Sequence, residues 1–118
     1  MRQIITSGFF LLALLCLSVF IFDPTHLYFE LPWLDIPMHI LGGFGVASFV
    51  MSVATYGKQK FSFTHVMILY LCVAVTWELY EFIQDILRGT VWNGWGDTIK
   101  DLCDGAIGAI TAFFLLKK

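Results

Sequence analysis

Basic residues are scarce in this chain. Seven lysines and arginines occur among 118 residues, set against nine acids for a net charge of −2. No basic patch is present, which excludes the electrostatic footprint of a nucleic-acid binder. Cysteine is equally sparse. Cys16, Cys72 and Cys103 are odd in number and widely separated, so they offer neither a disulfide framework nor paired metal-ligand spacing. Cys16 and Cys72 read as small apolar packing residues; Cys103, between Asp101 and Asp104, stays open as a nucleophile. No tandem repeat or low-complexity segment occurs, and there is no room for a soluble domain.

What the chain has instead is hydrocarbon. Apolar residues make up 58% of it and the mean hydropathy is +0.80, far from an ordinary soluble domain. A bilayer-spanning helix needs roughly 20 mostly apolar residues, and four stretches qualify, at about 4–22, 36–56, 63–87 and 98–116. The expected fold is all-α: one domain over residues 1–118, a polytopic membrane protein built as a four-transmembrane-helix bundle. The first stretch is longer than the apolar core of about 7–15 residues found in signal peptides, and no small-residue cleavage site follows it. It reads as a transmembrane helix.

The connections carry interfacial chemistry. Residues 22–34 hold Asp23-Pro24, His26, Tyr28, Phe29, Glu30, Pro32 and Trp33, aromatics suited to the headgroup region. Asp35 reads as an N-cap followed by Pro37 in the first turn, and Asp97-Thr98 as the cap of the last span. Arg88-Gly89 reads as a helix stop. Trp92 and Trp95 in the glycine-rich loop read as interface anchors. Alternating the spans puts Arg2, Lys58, Lys60, Lys117 and Lys118 on one face of the membrane and only Arg88 and Lys100 on the other. By the positive-inside rule both termini are cytoplasmic, in a multi-pass protein of the cell (inner) membrane.

That topology places all nine carboxylates on the extracytoplasmic side. A charge costs about 2.5–3.5 kcal/mol at the centre of an inserted helix, so acids sunk into the bilayer require a polar pocket, protons or a bound cation. Helical spacing groups them. Asp35 and His39 are four apart; Glu78, Glu81 and Asp85 follow i, i+3, i+7; Asp97, Asp101 and Asp104 follow i, i+4, i+7. At 1.5 Å rise per residue, Asp104 lies roughly 10 Å deeper than Asp97 and Glu78 similarly deeper than Asp85. Asp35, His39, Glu78, Glu81, Asp101 and Asp104 can therefore meet, with Gly42-Gly43, Gly45, Gly105 and Gly108 allowing close helix approach.

Carboxylates with one imidazole suit a divalent metal ion such as magnesium, manganese, calcium or zinc. Glu78-x-x-Glu81 and Asp101-x-x-Asp104 share the paired-carboxylate pattern of helix-bundle metal sites. Two bridged metals can activate water or clamp a phosphate, with His39 as ligand or general base and Glu81 as its catalytic partner. Without metal, the acids would share protons. His26 and His65 read as interfacial or structural, and Trp77 as a packing residue able to wall the pocket.

The segments Asp35-Ile36-Pro37-Met38-His39 with Gly42-Gly43-Phe44, Trp77-Glu78-Leu79-Tyr80-Glu81, and Gly96-Asp97-Thr98-Ile99-Lys100-Asp101 continuing to Gly105–Ala109 resemble the VanZ-like and YjdF-like small integral membrane proteins. The resemblance covers roughly two-thirds of the chain. It implies a small polytopic membrane protein with grouped polar motifs and a role at the cell envelope. VanZ-like members more often pair Glu with Gln in the third-span motif, so Glu78 and Glu81 bring the chain nearer the YjdF-like branch, and antibiotic resistance does not carry over.

Three functional classes follow. The leading one is a metal-binding membrane protein acting on an envelope lipid or phospho-group, as a binder or as a metal-dependent hydrolase or transferase. The others are a proton or cation relay lined by the same acids, and a structural accessory protein whose polar centre fixes helix packing. The partners expected are the lipid bilayer and an envelope lipid substrate, with no nucleic acid; a homo-oligomer stays open.

Overall fold

The computed structural model describes residues 1–117, and its regular structure is helical, with no strand among them. Its helices are α1 (Arg2–Leu17), α2 (Leu27–Glu30), α3 (Asp35–Tyr56), α4 (Phe63–Arg88) and α5 (Trp95–Leu116). Lys118, counted in the charge asymmetry above, lies outside the described residues. Three helical segments are long and apolar enough to cross a membrane: Arg2–Phe22, Pro32–Tyr56 and Phe63–Arg88. α5 has similar length, 22 residues, but Asp97, Lys100, Asp101 and Asp104 in its first half lower its hydropathy. The molecule is 46 Å along its longest axis, close to the ~40–45 Å of a bilayer with its headgroups.

Local chemistry explains most boundaries. α1 ends in a single π-helical turn, Ser18–Phe22, closed by Asp23 N–H donating to the Ser18 carbonyl at 2.9 Å. Ser62 caps α4 by accepting from the His65 N–H at 3.3 Å. Gly89 ends that helix in the left-handed region at φ 66°, as expected of a glycine stop. α2 and the short 3₁₀ turn Pro32–Leu34 lie between two spans, with Phe29 and Trp33 strongly exposed, consistent with an interfacial belt.

Two expected caps are corrected. α5 starts at Trp95 with Gly94 as its N-cap, so Asp97 falls inside the first turn and accepts from Asn93 Nδ2 at 3.2 Å instead of capping. It still complements the positive end of the helix dipole. Asp35 is already helical, with Leu34 at the cap and no side-chain capping bond; its carboxylate is drawn to His39 and Lys100 instead.

The packing centre is α3 against α5. A Cβ on Gly43 would collide with the Gly105 carbonyl, and one on Gly108 with the Ile40 carbonyl. These two helices touch backbone to backbone, which only glycine permits, and such small-residue seams drive helix association in lipid. Ala47, Val66, Tyr70, Ala109, Ala112 and Phe113 form the buried core below that crossing. α1 rests on α3, and α4 on α3 and α5. Gly42 differs from the other expected spacers: a Cβ there meets nothing within 4 Å.

Candidate functional site

The α3–α5 seam brings the N-terminal ends of both helices together and turns their polar stripes toward α4. α3 contributes Asp35 and His39, one turn apart. Their side chains meet at 3.2 Å, His39 Nε2 to Asp35 Oδ1, and the same nitrogen lies 3.6 Å from Asp101 Oδ2. Asp101 is only 4% exposed, the one buried carboxylate among the described residues.

Lys100, which no motif in the sequence marks as a site residue, is the hub. Its Nζ donates to Asp35 Oδ2 at 3.1 Å and Asp104 Oδ2 at 3.3 Å, and it also touches Asp101 Oδ1. One ammonium thus ties three carboxylates on two helices. The signal was present in part: Lys100 and Asp104 are four apart, a spacing that pairs side chains on a helix face. The link to Asp35 had no local signature.

α4 contributes Glu78 and Glu81. Trp77 Nε1 donates to Glu81 Oε1 at 2.9 Å, another i, i+4 pair, so Trp77 orients an acid as well as packing. Deeper along α4, Tyr70 Oη donates to the Leu102 carbonyl at 2.7 Å and braces α4 against α5; nothing in the sequence pointed to it. Tyr28 closes the top, its hydroxyl 2.9 Å from Ser18 Oγ. Burial pushes that phenol up to about 12, so Tyr28 stays neutral beside the acids at physiological pH.

The six residues expected at the site divide into subsets. His39, Glu78, Glu81 and Asp101 each offer a ligand atom, all within 4.8 Å of one another; Asp35, Asp97 and Asp101 form a second such group. Asp104 belongs to neither and spends its carboxylate on Lys100. Asp85 turns away, accepting from Thr90 Oγ1 at 2.7 Å, while Arg88 pairs with Asp23 at 3.6 Å. Cys103 is exposed, on the side of α5 away from buried Asp101. His65 binds Ser62 Oγ through Nδ1 at 2.6 Å, a structural contact.

The profile of one protein family matches residues 2–118, and its description is predicted membrane protein, DUF2238. The chain belongs to that family. Among curated proteins and among solved structures, nothing matches it. The description agrees with the three apolar helices of this DUF2238 member and names no reaction, so its chemistry has to be argued from the side chains. Five carboxylates, those of Asp35, Glu78, Glu81, Asp101 and Asp104, surround one ammonium and one imidazole. Acidic groups outnumber basic ones, and a cation or shared protons can balance them.

Proposed function

We propose that this DUF2238 protein binds one divalent cation through His39, Glu78, Glu81 and Asp101, and uses it on a lipid or phospho-group at the outer leaflet. The observation carrying this reading is the convergence of four ligand atoms from three helices within 4.8 Å. A donor set of three carboxylates and one imidazole suits manganese, magnesium, calcium or zinc. Asp35 and Trp77 stand behind the ligands, holding His39 and Glu81, as outer partners commonly do at metal sites.

One ion fits better than two. The second group, Asp35, Asp97 and Asp101, already receives positive charge from Lys100 on two of its members. The ammonium and a second metal would compete for the same oxygens. In this reading His39 is a ligand. Glu81, held by Trp77 through one oxygen, keeps the other for the ion or for a proton, the part of a general base in a hydrolase or transferase.

The reading includes four spans, with α5 as the fourth, both termini cytoplasmic and the cation site extracytoplasmic in the cell membrane. The lysine and arginine asymmetry supports that orientation, and the pairing of α5's charges with Asp35 and His39 accounts for how so polar a helix enters the bilayer. The likeness to VanZ-like and YjdF-like proteins belongs to the same reading and supports an envelope role. A through-path for ions is disfavoured, because beyond the cluster α3, α4 and α5 carry no Asp, Glu, Lys or Arg up to their far ends.

The test is metal content together with melting of the detergent-purified protein. A cation present at a hundred times its Kd stabilises the folded state by about 2.7 kcal/mol. Manganese is expected to raise the Tm of the parent, and Glu81→Gln and Asp101→Asn to abolish that rise. Equal melting with manganese and with chelator, in parent and variants alike, overturns the reading.

A further inference from the structure

A cavity of about 290 Å³ lies directly beneath the acidic cluster, at the small end of the ligand-pocket range of about 300–1,000 Å³. Its two ends differ in chemistry. His39, Glu78, Glu81 and Asp101 line one end, whereas Leu14, Val46, Val73 and Ala74 line the other. Gly42 helps to make the space: it lines the cavity, and a Cβ there would meet no atom within 4 Å. Gly43, its neighbour, is needed for close packing; Gly42 is not.

The apolar end leads sideways. A groove between α1 and α4, lined by Leu12, Val19, Cys72 and Thr76, shares Leu15, Val73 and Trp77 with the cavity. α1 packs chiefly on α3, and its face toward α4 flanks a slot. Leu12, Leu15 and Val73 on its rim are exposed. In a bilayer such a rim faces acyl chains, not water. An apolar void gains nothing from water and forfeits dispersion contacts when empty, so hydrocarbon is the occupant that its walls match.

We propose that the α1–α4 slot admits one hydrocarbon chain of a membrane phospholipid, which fills the cavity beside Gly42 and brings the lipid's head to the cluster. The chain's place depends only on the cavity and slot. The head's place rests on the cation-site reading, since five carboxylates repel a bare phosphate and a metal ion would bridge the two.

The probe is a phosphatidylglycerol with a diazirine near the end of one acyl chain, doped into vesicles of phosphatidylethanolamine and phosphatidylglycerol that hold the full chain. After irradiation, adducts are mapped by peptide mass spectrometry. Adducts are expected on inward-facing Leu14, Val46 and Ala74 as well as on lipid-facing Phe9 and Ile68. Gly42→Leu, which fills the cavity without a backbone clash, is expected to lose the inward adducts and keep the outward ones; Ala74→Phe is expected to do the same by a different route. The outward adducts report that each variant is folded and inserted. Inward adducts absent from the parent, or unchanged in both variants, overturn the slot. Chelator and Glu81→Gln form a separate arm. Inward labelling that persists there while manganese leaves melting unchanged refutes the cation site and leaves the slot standing.

Discussion

The Lys100 ammonium lies 3.1 Å from Asp35 Oδ2, on a helix 65 residues earlier in the chain. Among the described residues it is the only lysine or arginine paired with the cluster's carboxylates, and it occupies the oxygens that a second metal would need. Lys100→Met should therefore have two effects. Stability falls by roughly 1–2 kcal/mol, the scale of a partly exposed charged hydrogen-bond network. At the same time the Asp35, Asp97 and Asp101 group is freed, and elemental analysis should find metal per chain rising from one toward two. Unchanged stoichiometry would show that Lys100 does not compete with metal.

Asp104 and Asp101 should behave differently although they are one helical turn apart. Asp104 bonds Lys100 at 3.3 Å and belongs to neither ligand group. Asp104→Asn is expected to retain metal and to lose about 0.5–1 kcal/mol of stability, the value of a partly exposed ion pair. Asp101→Asn is expected to lose the metal. Equal loss of metal in both variants would put Asp104 back among the ligands.

Metal ligands must be deprotonated, so binding expels protons. His39 Nε2 faces Asp35 at 3.2 Å and Asp101 at 3.6 Å, and to hold a cation it would give up any proton on that nitrogen. Manganese affinity, measured by titration calorimetry, should strengthen as pH rises, with an apparent enthalpy that changes with the ionisation enthalpy of the buffer. A buffer-independent enthalpy would rule out this exchange.

The glycines give a paired test of packing. A Cβ on Gly108 collides with backbone on α3, whereas one on Gly42 meets open space. Gly108→Ala should lower stability by about 1–3 kcal/mol, the usual range for overpacking. Gly42→Ala should stay within about 1 kcal/mol of the parent, on the stabilising side through helix propensity. Comparable losses at both positions would contradict the α3–α5 seam.

Topology is read by labelling. In a background with Cys16, Cys72 and Cys103 replaced by alanine, a cysteine at Gly94 should react with an impermeant maleimide added from outside, and one at Gln59 should not. The reverse pattern would move the acidic cluster to the cytoplasmic side.

Periodicity and composition alone determined the long apolar helices, their approximate ends and the acidic stripes, because these are local properties. Side chains three or four residues apart share a helix face whatever surrounds them, which is why the Asp35–His39 pair and the Glu78–Glu81 and Asp101–Asp104 sets could be read directly. The Gly89 stop was equally local. The caps expected at Asp35 and Asp97 fall at Leu34 and Gly94 instead, because a helix start depends on where tertiary packing lets the coil begin.

What only the tertiary structure decided was which stripe faces which. The backbone contact of Gly43 with Gly105 and of Gly108 with Ile40 sets the rotation and depth of α5 against α3. That single fit places Asp101 against His39, leaves Asp104 with Lys100, carries Lys100 to Asp35 and leaves a cavity at Gly42. Each of these joins residues on different helices, separated by loops whose geometry no helical period encodes.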